Sequence, residues 1–422
     1  MNNNQAWEKL FSKYDILSAV ERNGYFTISA DQIREYREPR LMTKFDHKIN
    51  LPSVFLKNEL AILPVTRGDY VISHFDAYHT LEADNVQTYT FSPPENIQSL
   101  DYNNVFSETV ALNCAFAAGI IRDFLDEDVI FPTVSGRMGT GVFDFSISDT
   151  RHNTLHSLRV SNAQMEIDAA YEGRSCLAIL EAKREISEDF ITRQLYYPFR
   201  VWQNRITKPV RPVFFVYSNN VFSLYEYAFS NTHSYSSIKL IQHKNYSVQD
   251  TAITSQDIQS ILQRVRIADE PSGIPFPQAD TFERVINLCE LLRDNPLTKQ
   301  QITELYAFNE RQADYYANAG RYLGLIGKSS ASLYSLSTSG RKILSMNWKN
   351  RQLALCELIL SHRAFHESMT LYFSTGHLPE TRDITDIITR SDLQKPITGD
   401  TLSRRAKTLR SWLNWITSLI TE

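Results

Sequence analysis

At 422 residues the chain is long for one domain and points to roughly two to four. A hydrophobic content of 42% and a charged content of 22% are ordinary for a globular protein and exclude extensive disorder. The formal net charge of −4 excludes a globally basic nucleic-acid binder, so any DNA affinity has to come from local basic surfaces.

The opening "MNNNQAWEKLF" lacks the basic start and apolar core of a signal peptide. The longest apolar run, "VALNCAFAAGII" (110–121), is too short to cross a bilayer. Cys114, Cys176, Cys289 and Cys356 are scattered, with no CxxC or Cys/His cluster. That argues against a zinc site and fits a reducing, cytoplasmic location.

Residues 1–95 read as an N-terminal α+β domain with a candidate role in DNA recognition. A helical pattern, "AWEKLFSKYDILSAVERNG", is stopped by Gly24, and "YFTIS" and "ELAILPV…DYVISHF" then alternate like strands. Between them, "REYREPRLMTKFDH" gathers Arg34, Arg37, Arg40 and Lys44 around a proline, as a solvated loop or a DNA-contacting one. The turn-rich "TFSPPEN" (90–96) closes the region.

Residues 96–268 begin with a largely apolar helix, "NVFSETVALNCAFAAGIIRDFL" (104–125). Strand signals follow at "GVFDFSI", "AQMEIDAAY", "SCLAILEAK", "RPVFFVYS" and "VFSLYEYAF". A helix over 187–203, with Ser187 as N-cap, separates the third from the fourth. The glycines of "SGRMGTG" (135–141) read as a strained turn or a backbone contact to DNA through Arg137. Without GK[ST] they are not an NTP-binding loop.

The chemistry concentrates at "EIDAAYEGRSCLAILEAKRE" (166–185). Alternation places Glu181 and Lys183 on one face of a buried strand, and Glu166 and Asp168 on one face of the strand before it. Gly173 allows a hairpin turn that brings these ends together, although the register cannot be read from sequence. Carboxylates this close repel one another unless a cation joins them, and a hard divalent ion, Mg²⁺ above all, fits oxygen ligands. With a lysine alongside, such a site is equipped to hydrolyse a phosphodiester. The plain alternative is a strand end with solvated charges.

The helix, three-strand, helix, two-strand order and the ExD…ExK pattern resemble the PD-(D/E)xK nuclease superfamily. The resemblance implies an α/β (α+β) multidomain protein with a restriction-endonuclease-like core, its mixed sheet flanked by helices. It makes Asp168 and Glu181 the metal ligands and Lys183 the catalytic lysine. The sequence reads "EID" where the family's name pattern has a proline before the acid, so Glu166 or Asp168 is the primary acid, and Asp168 is favoured. Some members add an acid from the first helix, here Glu108, and a glutamine after the motif, here Gln194. Arg193 and Arg200 are then candidates for phosphate contact.

After "ADEPSGIPFPQAD" (268–280), which reads as a linker, residues 280–347 show three helices and a small hairpin, the outline of a winged helix-turn-helix. Arg311 and Gln312 begin its recognition helix, and packing rather than DNA contact is the alternative role. Residues 348–422 end in "TLSRRAKTLRSWLNWI", where Arg404, Arg405, Lys407 and Arg410 offer phosphate contacts beside the apolar stripe of Leu402, Ala406, Leu409, Leu413 and Ile416.

The whole chain resembles a type II restriction endonuclease with added winged-helix domains. That resemblance implies a Mg²⁺-dependent enzyme acting on double-stranded DNA, a homodimer, and a cognate DNA methyltransferase as a genetic partner. A modification-dependent or repair nuclease, or a non-catalytic DNA-binding regulator on the same scaffold, is the alternative.

Overall fold

In the computed structural model, which describes residues 1–81, 86–248, 252–391, 393 and 397–420, the chain is a mixed α+β protein. The helical pattern of residues 6–24 yields two helices rather than one. α1 (Asn3–Lys13) and α2 (Ile16–Asn23) part at Asp15, whose φ of 47° is left-handed, and Gly24 at φ 80° stops α2. β1 (Phe26–Ser29), α3 (Ala30–Arg34), α4 (Pro39–Met42), α5 (Ser53–Lys57), β2 (Ala61–Pro64) and β3 (Asp69–Ser73) follow, the strands antiparallel in the order β1-β3-β2. Trp7, Phe11, Phe55, Ile62 and Ile72 form the core of this unit. Trp7 Nε1 donates to the Met42 carbonyl at 2.9 Å, so the basic stretch after α3 is anchored to that core.

β4 (Tyr78–Thr80) and β5 (Thr88–Phe91) lead to α6 (Glu108–Ala117) and α7 (Ile120–Leu125). The single helix expected over 104–125 breaks at Gly119, φ 81°. Then come β6 (Phe131–Gly139), β7 (Val142–Ser148), β8 (Leu155–Ser161), β9 (Gln164–Glu172), β10 (Leu177–Lys183), β11 (Asp189–Ile191), α8 (Arg193–Gln203), β12 (Val210–Ser218), β13 (Val221–Phe229) and β14 (Ile238–Val248). Seven of these strands form one mixed sheet in the order β5-β14-β13-β12-β10-β9-β6. β10 runs parallel to β12 and antiparallel to β9. On one face, Ala178, Leu180 and Ala182 join the core of α6 and α7; on the other, Leu177 and Ile179 pack with Tyr196 and Tyr197 of α8. Every residue of β10 is buried, which is why its sequence is apolar on both faces until the charged end.

Three sequence expectations change here. "GVFDFSI" is not the first strand of the main sheet; as β7 it pairs with β8 in a separate two-stranded sheet. The main-sheet position belongs to β6, which contains the glycine-rich stretch read as a turn. β6 is an edge strand with register shifts around Val134 and a positive φ at Gly136, and edges tolerate proline, glycine and bulges that interior strands do not. Ser187 does not cap a helix: residues 189–191 first pair with β4, and α8 begins at Arg193 after Thr192, which makes no side-chain cap.

The C-terminal part comprises α9 (Ser255–Arg264), α10 (Phe282–Leu291), β15 (Leu297–Thr298), α11 (Lys299–Leu305), α12 (Glu310–Tyr322), β16 (Ile326–Lys328), β17 (Leu333–Leu336), α13 (Thr338–Leu344), α14 (Trp348–Leu360), α15 (Arg363–Thr375), α16 (Thr381–Arg390) and α17 (Gly399–Ser418). Its strands order β15-β17-β16. One hydrophobic cluster runs from Ile253 to Ile416, so the regions expected at 280–347 and 348–422 share a core and include α9. Phe282 of α10 packs on Trp412 and Trp415 of α17 with ring centroids 4.8 and 4.4 Å apart. The proline-rich stretch expected as a free linker is packed too: Phe276 is buried against Phe365, and Trp412 Nε1 donates to the Ala279 carbonyl at 2.7 Å. Truncating the fully buried Trp412 to alanine is expected to cost about 3–5 kcal/mol. Thermal melting should then show a single lowered transition for the C-terminal unit, and separate transitions for its two halves would contradict the shared core.

Candidate active site

The hairpin turn forms at Gly173, where the Glu127 side chain fills the space a Cβ would need. Glu127 accepts from the backbone N–H groups of Arg174 and Ser175 at 3.0 and 2.8 Å and so fixes the turn. From there β9 and β10 pair with Ala169 opposite Leu180. This register determines which acid meets the ExK strand. The Asp168 carboxylate accepts from the Ala182 N–H at 2.8 Å. Glu166 lies opposite Arg137 on β6 and accepts from its Nε at 3.2 Å.

Glu181 and Lys183 are only 8% and 7% exposed. Lys183 Nζ donates to Glu181 Oε1 at 2.7 Å and lies 3.6 Å from Asp46 Oδ2. Gln194, in the first turn of α8, donates through Nε2 to the same Glu181 oxygen at 2.7 Å. Glu108 opens α6, where Ser107 caps the helix by accepting from the Val110 N–H. Glu108, Asp168, Glu181, Lys183 and Gln194 all line one cleft of about 810 Å³.

Acidic and basic side chains both line this cleft, and the carboxyls differ in how far the basic ones offset their burial. Burial pushes Glu108 up to about 7, with Lys183 pulling the other way and Glu185 and Asp168 adding to the rise. Burial likewise raises Asp168 and Glu181 against the pull of Lys183. Burial also opposes the Lys183 ammonium, but Glu181, Asp46 and Glu185 outweigh it and hold Lys183 well above its usual range. Asp46 and Glu185 go the other way: burial raises them, yet Lys183 and Lys44 lower Asp46, and His47 and Lys183 lower Glu185. Lys183, Lys44 and His47 thus satisfy Asp46 and Glu185, and the three carboxyls left raised are Glu108, Asp168 and Glu181.

Asp46, His47 and Glu185 belong to this cluster although the sequence reading did not select them. Glu185 shares the strand parity of Glu181 and Lys183 in "LEAKRE", a usable signal. Asp46 and His47 gave none, because only the fold brings them to β10. His47 Nδ1 faces the Asp189 carbonyl at 2.6 Å and Nε2 faces Glu185 Oε1 at 3.4 Å. With acceptors at both ring nitrogens, the doubly protonated imidazolium suits the site.

Candidate DNA-contacting residues divide between this cleft and other places. Arg40, Lys44 and Arg137 are exposed and line the cleft, as does the half-buried Arg193; exposed Arg67 joins them. Arg37 is instead a tie, donating to Asn3 Oδ1 at 2.7 Å and lying 4.0 Å from Glu304. Arg200 is buried and donates to the Thr232 carbonyl at 2.6 Å and to Tyr196 Oη at 3.1 Å, so it is not available to a phosphate. Gln312 forms a capping box with Asn309, and Arg311 donates to Tyr315 Oη at 2.6 Å. On α17, Arg404 and Lys407 are exposed and Arg405 is half-buried, while Arg410 donates to the Pro379 carbonyl at 3.2 Å.

Among the described residues, no three His, Cys, Asp or Glu side chains are gathered into a ready-made metal cage. Mg²⁺ does not require one, since it keeps several waters and is often held by one or two carboxylates. Asp168 and Glu181 fit that donor set. One oxygen of each is already used, by Ala182 N–H and by Lys183 with Gln194, which leaves the second oxygen of each to a cation.

Three family models match, each described as a domain of unknown function: DUF6996 over residues 4–72, DUF6997 over 73–247 and DUF7226 over 284–421. No curated protein and no solved structure matches the chain. The 73–247 match contains Glu108, Asp168, Glu181, Lys183 and Gln194, whereas Asp46 and His47 come from the stretch matched by the first model. No helix among the described residues is long and apolar enough to cross a membrane.

His47 gives a pH prediction. Burial opposes its charge, but Asp189 and Glu185 outweigh it and raise it to about 9. The stabilisation is complete below the unfolded value of about 6.5 and is lost as pH climbs through about 9. Over that window the melting temperature should fall more steeply for the wild type than for His47→Gln; parallel curves would contradict the charged assignment.

Proposed function

We propose that the chain is a Mg²⁺-dependent endonuclease of the PD-(D/E)xK kind that hydrolyses phosphodiester bonds in double-stranded DNA, acting as a type II restriction enzyme. The observation that supports this most is the meeting of Asp168, midway along β9, with Glu181 and Lys183 at the end of the adjacent β10. They share a cleft with Arg40, Lys44, Arg67 and Arg193, basic side chains that can contact phosphates beside the cleft's carboxyls.

Asp168 and Glu181 would hold the metal, which when bound polarises a phosphate oxygen and lowers the pKa of its water. Gln194 and Lys183 fix the Glu181 carboxylate by occupying one oxygen, leaving the other for the cation. The Lys183 ammonium, held charged by its neighbours, offsets negative charge developing on the phosphate. The basic side chains of the cleft bind and orient the backbone.

Beyond the cleft, we read α10, β15, α11, α12, β16 and β17 as a winged helix-turn-helix by their order, and Arg404 and Lys407 on α17 as phosphate contacts. A homodimer would present two such sites to a duplex, and a cognate methyltransferase would protect host DNA.

Plasmid cleavage tests the reading. Wild type with Mg²⁺ should give discrete fragments, chelation should stop cutting, and Lys183→Ala should lower the rate by about 100-fold or more. Cleavage that survives chelation or the loss of Lys183 would refute the assigned site, and cutting confined to methylated DNA would favour the modification-dependent alternative.

A further inference from the structure

We infer that Asp46, supplied by the N-terminal unit, is a positioning residue for Lys183, so that the catalytic centre is completed across two units of the chain. The inference rests on the nuclease reading above. Its Oδ2 lies 3.6 Å from Lys183 Nζ, on a lysine whose other close partner is Glu181 at 2.7 Å. The ammonium is therefore held between two carboxylates, one from β10 itself and one from far upstream. The Asp46 carboxylate opposes the pull of Glu181 on the ammonium, and an ammonium displaced by an ångström is poorly placed for the phosphate.

The backbone around Asp46 is built to hold this position. Its carbonyl accepts from the Ile191 N–H at 2.8 Å, so the residue is fastened to β11. On one side the Phe45 carbonyl accepts from Tyr78 Oη at 3.0 Å. On the other, His47 bonds the Asp189 carbonyl at 2.6 Å, and the Lys48 N–H donates to the Asp189 carboxylate at 3.2 Å. Residues 46–48 are thus clamped to the segment between the ExK strand and α8, and Phe45 to the β4 strand that pairs with it. The second Asp46 oxygen, Oδ1, is buried with no hydrogen-bond partner among the described residues, an arrangement that costs free energy and is not needed merely to join two units.

The test uses the full-length chain and a plasmid or duplex substrate with Mg²⁺. Asp46→Asn is expected to lower kcat by about 10- to 100-fold, leaving KM, the Mg²⁺ half-saturation and duplex binding in chelator unchanged. Asp46→Glu, which keeps the charge but moves it by one methylene, should recover part of kcat and stands in should the asparagine variant melt out. An unchanged kcat in Asp46→Asn overturns the inference. So does a matching loss of duplex binding, which would make Asp46 a DNA-binding determinant, or a raised Mg²⁺ requirement, which would make it a metal ligand. Wild type that cuts while Asp46→Asn cuts equally well removes only this inference; wild type that does not cut removes the nuclease reading and this inference with it.

Discussion

The structure turns on one costly arrangement, a lysine and a glutamate buried together at the end of a central strand. Taking an ammonium and a carboxylate out of water is favourable only when geometry and further hydrogen bonds compensate. At β10 the compensation is local and specific: Lys183 bonds Glu181 at 2.7 Å, Gln194 bonds the same oxygen, and Asp46 stands 3.6 Å beyond. Replacing the pair with apolar residues would extend the strand's hydrophobic run and remove the penalty. Charge in such a place points to chemistry rather than to stability.

Polar ties hold the surroundings of that pair in place. Asn287 of α10 donates to the Arg184 carbonyl at 2.6 Å and accepts from the Ile186 N–H at 3.1 Å, fastening the chain as it leaves β10. Glu290, one turn further along α10, accepts from Ser218 Oγ and Asn219 N–H at the end of the neighbouring strand β12. Asn50 of the N-terminal unit donates to the Thr303 and Tyr306 carbonyls at 2.9 and 2.8 Å. The three matched stretches are thus connected around the segment that carries the site, and each reaches it with residues the others lack.

The sequence made the β9–β10 hairpin legible because its signals are local. Alternation, the Gly173 turn and the apolar run ending at Glu181 all lie within a few residues of one another. Asp168 could be placed near Glu181 from alternation and the turn, whereas Gln194 and Glu108 were placed there only by the resemblance to the nuclease superfamily. The rest depended on distant contacts. β6 looked like a turn because an edge strand can carry Pro132 and Gly136 that would break an interior one. The stretch around Phe276 looked like a linker because its prolines gave no hint that the phenylalanine is buried against Phe365. Arg200 looked available to phosphate because helical position cannot reveal that Thr232 and Tyr196 enclose its guanidinium. Asp46 escaped because no pattern in "TKFDH" refers to a strand so far downstream.

The proposed nuclease activity requires Asp168 and Glu181, each with one carboxyl oxygen already hydrogen-bonded, to hold a divalent cation. A ligand that binds only the folded protein raises its melting temperature, by an amount that grows with the logarithm of its concentration over Kd. Melting wild type and the Asp168→Asn/Glu181→Gln double variant with and without millimolar Mg²⁺ measures this directly. The account predicts that Mg²⁺ raises the melting temperature of the wild type and leaves the double variant unmoved; an equal shift in both proteins, or none in the wild type, would contradict it.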